Sequence, residues 1–253
     1  MLKITNLKKS FKVDYEKDQA ILNGLNLTIE NGEFVTVLGN NGAGKSTLFN
    51  LISGTILSND GTIMLDDQDI TFMPEHKRSE FIGRVFQSPM QGTAPNLTVA
   101  ENLALAYGRQ HRKNLNWALT RSLKGIFREK LAEANMGLEN KLDRKIKNLS
   151  GGQSQVVALI MCTIKPPKLI LLDEHTAALD PKTAEDVMAF TERIVAKDHL
   201  SALMITHHLE DAIAYGDRLI MMDRGIVAHE FSGAAKKALT AESLRTLYHL
   251  KES

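Results

Sequence analysis

The run Gly39-Asn40-Asn41-Gly42-Ala43-Gly44-Lys45-Ser46 constrains this chain more than any other feature. It has the spacing G-x-x-x-x-G-K-[ST]. An apolar, strand-like run precedes it at 33–38, and a helix-like run follows at 47–52. Strand, tight turn and helix are the context this spacing requires. Small residues let successive backbone N–H groups turn inward around phosphate oxygens. The helix that follows presents its positive N-terminal end to the same anion. Lys45 supplies a point charge for the β- and γ-phosphates, and Ser46 a hydroxyl for Mg²⁺. The candidate nucleotide-binding set is Gly39, Asn40, Asn41, Gly42, Ala43, Gly44, Lys45, Ser46 and Thr47. From average glycine usage such a pattern arises by accident on the order of once in a hundred chains of this length. The flanking strand and helix patterns lower that further.

Strand-like and helix-like patterns alternate along most of the chain. Strands are expected at 20–29, 33–38, 61–65, 82–86, 169–172, 201–206 and 218–222, and helices at 47–52, 181–197 and 208–215. The run Leu169-Ile170-Leu171-Leu172 suits a strand covered on both faces, as in a parallel sheet. This is an α/β layout. From about residue 88 to 147 there are helix signals and no clear strand, so a helical insert is expected there. Within it, Leu115, Leu119, Leu123, Phe127 and Leu131 recur every four residues, which predicts an amphipathic helix over 115–131.

The 253 residues suit one large domain, or a core domain with a smaller insert. A net charge of +1 gives no global signal for nucleic acid or an acidic partner. The single cysteine, Cys162, cannot form an internal disulfide, which fits a reducing compartment, and its apolar neighbours favour core packing over a reactive thiol. The N-terminus lacks the apolar stretch of a signal peptide. The longest apolar runs fall far short of the roughly 20 residues that span a bilayer. If the chain acts at a membrane, a partner must supply the spanning part.

The 169–172 run ends in Asp173-Glu174. A buried parallel strand delivers such carboxylates at its C-terminal end, where open α/β sheets bind ligands. Neighbours on an extended chain point to opposite sides, so the two can hold different jobs. Asp173 is the candidate Mg²⁺ carboxylate. Glu174 is the candidate to accept a proton from, or orient, an attacking water. Alone, such a pair reads equally well as solvated charge at a strand end.

Leu149-Ser150-Gly151-Gly152-Gln153 precedes a long helical stretch. Ser150 is a good N-cap, and two glycines leave the first-turn amides uncovered. This makes a second helix end shaped for an anion, unless it is an ordinary capped helix. Two phosphate-ready ends in one chain make sense if the second serves a nucleotide held by a twin molecule.

The order of cradle, LSGGQ, apolar run with Asp-Glu, Ala178-Leu179-Asp180 and Thr206-His207 resembles the ATP-binding subunit of ABC transporters over essentially the whole chain. The resemblance implies a P-loop NTPase core with a mostly parallel sheet, an antiparallel β-subdomain and a helical insert. It implies a single cassette over residues 1–253 with the insert at about 88–160. ATP and Mg²⁺ are the implied cofactors, with Ser46, Gln87 and Asp173 toward the metal. By matching position, Gln87 senses metal and water, His207 contacts the γ-phosphate and Asp180 communicates across a dimer. Ser150, Gly151, Gly152 and Gln153 bind the other copy's nucleotide. Phe11, or alternatively Tyr15, stacks on adenine. The implied catalytic set is Glu174, His207, Gln87 and Lys45. The implied partners are a second copy joined through ATP, a membrane permease and an extracellular solute-binding protein. No nucleic acid is implied, and the place is the cytoplasmic face of the cell membrane.

The chain departs from the family's usual pattern in places. Ser154-Gln155-Val156 follows the signature where Arg-Gln-Arg is common. His175 follows Glu174 where Pro is usual, and His208 stands where Asp is common. His175 and His208 read as solvated loop positions, with pH sensitivity near the site as the other reading. The runs 173–183 and 92–98 resemble a branch of importer ATPases that sit beside a lipoprotein-like binding protein and a branched-chain-amino-acid-type permease. Some of those systems handle aromatic amino acids. Arg109, Arg112, Lys113, Arg121, Lys124, Arg128 and Lys130 gather positive charge in the insert. They read as a solubilising helix face, or as a surface near anionic lipid or the permease. Trp117 reads as packing in the insert. Rival functions are an exporter ATPase, a non-transport ABC protein acting on ribosomes or DNA, and a regulatory nucleotide-binding module without turnover.

Overall fold

The computed structural model describes residues 1–14, 17–108 and 120–249. In chain order the elements begin with β1 (Leu2–Asp14), β2 (Lys17–Ile29), β3 (Phe34–Gly39), α1 (Lys45–Ser53), β4 (Asp60–Leu65), β5 (Gln68–Asp69) and α2 (Glu75–Arg78). Next come β6 (Ile82–Val85), α3 (Pro89–Gly92), α4 (Val99–Gly108), α5 (Arg121–Ala132), α6 (Gly151–Thr163), β7 (Leu169–Asp173) and α7 (Pro181–Lys197). The last are β8 (Ser201–Ile205), α8 (Leu209–Ala214), β9 (Arg218–Asp223), β10 (Ile226–Ser232), α9 (Gly233–Lys237) and α10 (Ala241–His249). They gather into two compact units, Met1–Ser79 with His199–Ser253, and Glu80–Asp198.

The first unit holds an antiparallel sheet in the order β2-β1-β4-β5. β1 was not anticipated from sequence. Leu2, Ile4 and Leu7 are its buried residues, and register shifts on both sides of Leu7 break the two-residue period. Asn6, at φ 49°, takes up the extra residue. The same unit holds a second set of strands. β3 pairs parallel with β8 and with β9, and β10 adds antiparallel to β9. Every residue of β3 and of β8 is buried, which is why their sequences are mostly apolar, with Thr36 and Ser201 as the polar exceptions.

Arg78 ties this unit together. Its side chain is fully buried and donates to four backbone carbonyls: Met73 at 2.7 Å, Leu51 at 2.6 Å, Ile52 at 3.0 Å and Thr71 at 3.0 Å. Leu51 and Ile52 lie in the last turn of α1, where carbonyls lack helical partners. Gly54 ends α1 at φ 84°, and a Cβ there would stand 2.8 Å from Arg78 Nε, so only glycine fits.

In the second unit β6 pairs parallel with β7, with Val85 opposite Leu172. Between them, among the described residues, α3 to α6 and two short 3₁₀ turns are joined by a single isolated bridge, Thr98 to Lys145. Thr98 and Glu101 form a reciprocal cap at the start of α4. Buried Asn102 holds the loop ahead of it, accepting from Ala94 N at 2.7 Å and donating to the carbonyls of Ala94 and Thr98.

The helix expected over 115–131 is corrected. Thr120 is extended (φ −64°, ψ 153°) and caps α5 by accepting from Leu123 N, so the helix runs from Arg121. Phe127 and Leu131 are buried as their spacing predicts. Leu115, Leu119, Trp117, Arg109, Arg112 and Lys113 lie outside the described residues. Of the basic face, Lys124 pairs with Asp143 at 3.0 Å and Lys130 with Glu133 at 4.0 Å, while Arg121 and Arg128 are exposed. No helix among the described residues is long and apolar enough to cross a membrane.

Arg78→Ala leaves four carbonyls in a dry environment without their donor. It should lower the unfolding free energy by about 3 kcal/mol or more. Urea titration followed by circular dichroism measures this, and a loss under about 1 kcal/mol contradicts the reading.

Candidate functional site

In the first unit, β3 runs straight into the glycine-rich turn. A Cβ on Gly39 would stand 2.6 Å from the Met222 carbonyl. Gly44 is the N-cap of α1 at φ 99°, and a Cβ there would stand 2.7 Å from Leu22 Cδ2. Gly39 therefore needs glycine for space, and Gly44 for its left-handed backbone. No side chain caps α1, and its first turn has no acidic residue. The first-turn N–H groups stay available to an anion. Lys45 is only 6% exposed, and its ammonium donates to the Gly39 carbonyl and, at 3.2 Å, to that of Asn40. Asn40, Asn41, Gly42 and Ser46 are exposed, Thr47 is half-buried and Ala43 is buried.

His207 is exposed just beyond β8. Because Val37 pairs with Ile205 in parallel, the ends of β3 and β8 that carry Gly39 and His207 emerge at one edge. His208 is exposed and its N–H donates to Thr206 Oγ1 at 3.1 Å. Phe11, on β1, is 41% exposed, with Lys9 Nζ 5.1 Å from its ring centroid. Its rival Tyr15 lies outside the described residues.

In the second unit, the parallel pairing of β6 and β7 brings Gln87 and Asp173 to one edge in the same way. Gln87 is exposed, one residue past Phe86, whose carbonyl accepts from Gln155 Nε2 at 2.9 Å. Asp173 ends β7 and accepts from Arg84 Nη2 at 2.9 Å. Glu174 follows at φ 48°, in the left-handed region, and its carbonyl accepts from Ala177 N at 3.0 Å. A turn, not strand alternation, sets the two carboxylates apart. Arg84 was missed by sequence reasoning. Its signal was a lone charge in the apolar run Phe81-Ile82-Gly83-Arg84-Val85-Phe86, which needs a counter-ion once buried.

His175 overturns its expectation as a solvated position. It is 2% exposed, and Nε2 lies 3.1 Å from Thr191 Oγ1 on α7. Thr191 spends its hydroxyl proton on the Val187 carbonyl at 2.8 Å, so the imidazole donates through Nε2–H. Burial pushes its pKa down to about 4. Cys162 is half-buried, with its Sγ 3.1 Å from the Arg84 carbonyl.

Ser150 caps α6. Its hydroxyl accepts from Gln153 N at 3.3 Å, and Gln153 Oε1 accepts from Ser150 N at 3.4 Å. Lys141 Nζ also donates to Gln153 Oε1, at 2.9 Å. Gly151 is exposed. Gly152 is buried, where a Cβ would overlap Thr183 Cγ2, so this glycine serves the packing of α7 as well as an open amide. Asp180 caps α7, accepting from Thr183 N at 3.1 Å, and hydrogen bonds from the Thr183 side chain and then its backbone hold the carboxyl below the usual carboxylate range.

A strand, glycine-rich turn and helix on an α/β core is the build of a nucleotide-hydrolysing cassette, and solved cassettes align with this chain. The dimeric ATP-binding cassette MJ0796 with ADP and Pi aligns at TM-score 0.78 and 30% identity, covering 92% of this chain and 98% of that one. The ABC transporter cassette MJ1267 aligns at 0.79 and 27%, covering 98% of each. Among curated relatives, a tyrosine transport ATP-binding protein of Clostridioides difficile is 45% identical over 96% of this chain and 97% of its own length. The spermidine/putrescine import ATP-binding protein PotA of Haemophilus influenzae is 34% identical over 92% of this chain, which spans 58% of that protein. The ABC transporter family matches residues 22–177, and the chain belongs to it as an ATP-binding subunit. It is an ATPase whose activity is coupled to transport.

The depressed His175 pKa gives a signed pH dependence. Between its ordinary 6.5 and about 4 the unfolded chain holds a proton that the folded chain refuses. The stability contribution is full above 6.5 and fades as pH falls toward 4. The loss approaches about 3 kcal/mol. Denaturant midpoints from pH 7.5 to 4.5 measure it, and His175→Gln should flatten that limb.

Proposed function

We propose that this chain is the motor of an importer for amino-acid-like small solutes. It works as an ATP-dependent homodimer on a membrane permease fed by an extracellular solute-binding protein, at the cytoplasmic face of the cell membrane. Residues 1–253 are read as one cassette with a helical insert at about 88–160. The observation that carries the motor reading is the pair of helix N-termini, α1 behind Lys45 and α6 behind Ser150. Neither has an acidic residue in its first turn. A nucleotide held by the α1 end of one copy and the α6 end of another would join two copies head to tail, so its γ-phosphate charge would favour the closed pair. The full-length likeness to a tyrosine transport ATP-binding protein supports import of amino-acid-like solutes.

Lys45 neutralises charge on the β- and γ-phosphates, and His207 contacts the γ-phosphate. Glu174 orients the attacking water and takes its proton. Phe11 offers its exposed ring to adenine, and Asp180 signals across the dimer. The donors Ser46, Gln87 and Asp173 are all oxygens, which fits Mg²⁺. Among the described residues no group of three or more His, Cys, Asp or Glu could hold a metal ion. When bound, Mg²⁺ offsets phosphate charge.

Glu174→Gln should bind ATP, hydrolyse at least about a hundredfold more slowly and accumulate as a dimer in size-exclusion chromatography. Hydrolysis at the parent rate removes the base assignment. Lys45→Ala should lose ATP affinity, read by fluorescent-nucleotide titration, and unchanged affinity contradicts the cradle. In reconstituted vesicles, an aromatic amino acid on the binding protein should raise ATP turnover. A rate indifferent to solute argues against import of that class.

A further inference from the structure

Arg84 is the one charge in the β6 run, and the register puts it opposite Leu171, two residues before Asp173 on the same face of β7. Its Nη2 reaches Asp173 Oδ2 at 2.9 Å, with the two side chains 14% and 17% exposed. The guanidinium also lies over the Phe86 ring, 4.7 Å from its centroid, so it is held from a second side. Nothing in the proposed hydrolysis uses it. An arginine stays charged at every relevant pH, so it can release a carboxylate only by moving. A divalent cation arriving at Asp173 meets that fixed positive charge at close range in a partly dry setting, where Coulomb terms are large.

We propose that Arg84 is a resident counter-ion for the Asp173 carboxylate, one that a divalent cation must displace, so that Arg84 sets the free Mg²⁺ concentration at which the site loads. This rests on the reading of Asp173 as the metal carboxylate. Arg84 is a positioning residue here, not a catalytic one.

The test uses Mn²⁺ as the probe, its free fraction read by electron paramagnetic resonance, with ATP and the Glu174→Gln chain as parent. Arg84→Met should half-saturate at about fivefold to tenfold lower free Mn²⁺. Arg84→Lys keeps the charge and should stay within about twofold of the parent. An Arg84→Met chain that needs as much Mn²⁺ as the parent, or more, overturns the proposal, as does Arg84→Lys behaving like Arg84→Met. Asp173→Asn separates the two readings. If it binds Mn²⁺ like the parent, the metal-carboxylate reading itself fails. If it loses Mn²⁺ while Arg84→Met is unchanged, only the counter-ion role fails. Should the Arg84 variants not fold, the unsubstituted side chain answers by ¹⁵N NMR. The Arg84 guanidinium signals should shift when Mg²⁺ joins a non-hydrolysable ATP analogue, and signals that ignore the metal overturn the proposal.

Discussion

Burial of β3, β7 and β8 on both faces confines polar chemistry to their ends. A polar side chain inside such a strand costs free energy unless it finds a partner. Thr36 of β3 shows the rule, with its hydroxyl donating to the Ala212 carbonyl at 3.0 Å. Arg84 of β6 shows it with a charge. The polar residues of interest stand at the C-terminal ends, and parallel pairing makes those ends coincide. Gly39 and His207 come together through one pairing, Gln87 and Asp173 through another.

The two helix ends proposed to hold phosphate are built differently. At α1 the N-cap is Gly44 and no side chain caps the first turn. At α6, Ser150 and Gln153 satisfy two donors between themselves, and Lys141 holds the Gln153 carbonyl oxygen. The glutamine of the signature is thus a structural brace for the turn. Its other end donates to the Met136 carbonyl at 3.2 Å.

Much of this was legible in sequence. The cradle, the buried strands and the carboxylates at the end of β7 follow from local patterns: apolar runs, glycine spacing and charges at run ends. What escaped needs pairs far apart in the chain. His175 reads as a loop residue until Thr191 is seen to meet it from α7. Arg84 and Asp173 are joined by sheet register, which no local window contains. β1 hid behind its bulges. The four-residue leucine spacing promised a helix over 115–131, and Thr120 cut it because a capping hydroxyl offers the backbone a competing bond.

The contact between Gly152 and Thr183 has a mechanical consequence. Asp180 is fastened to α7 through the backbone of the same Thr183 that fills the space left by Gly152. The turn at Ser150 and the turn at Asp180 are therefore packed at one corner, so added bulk at Gly152 would displace Thr183 and with it the bond that holds Asp180.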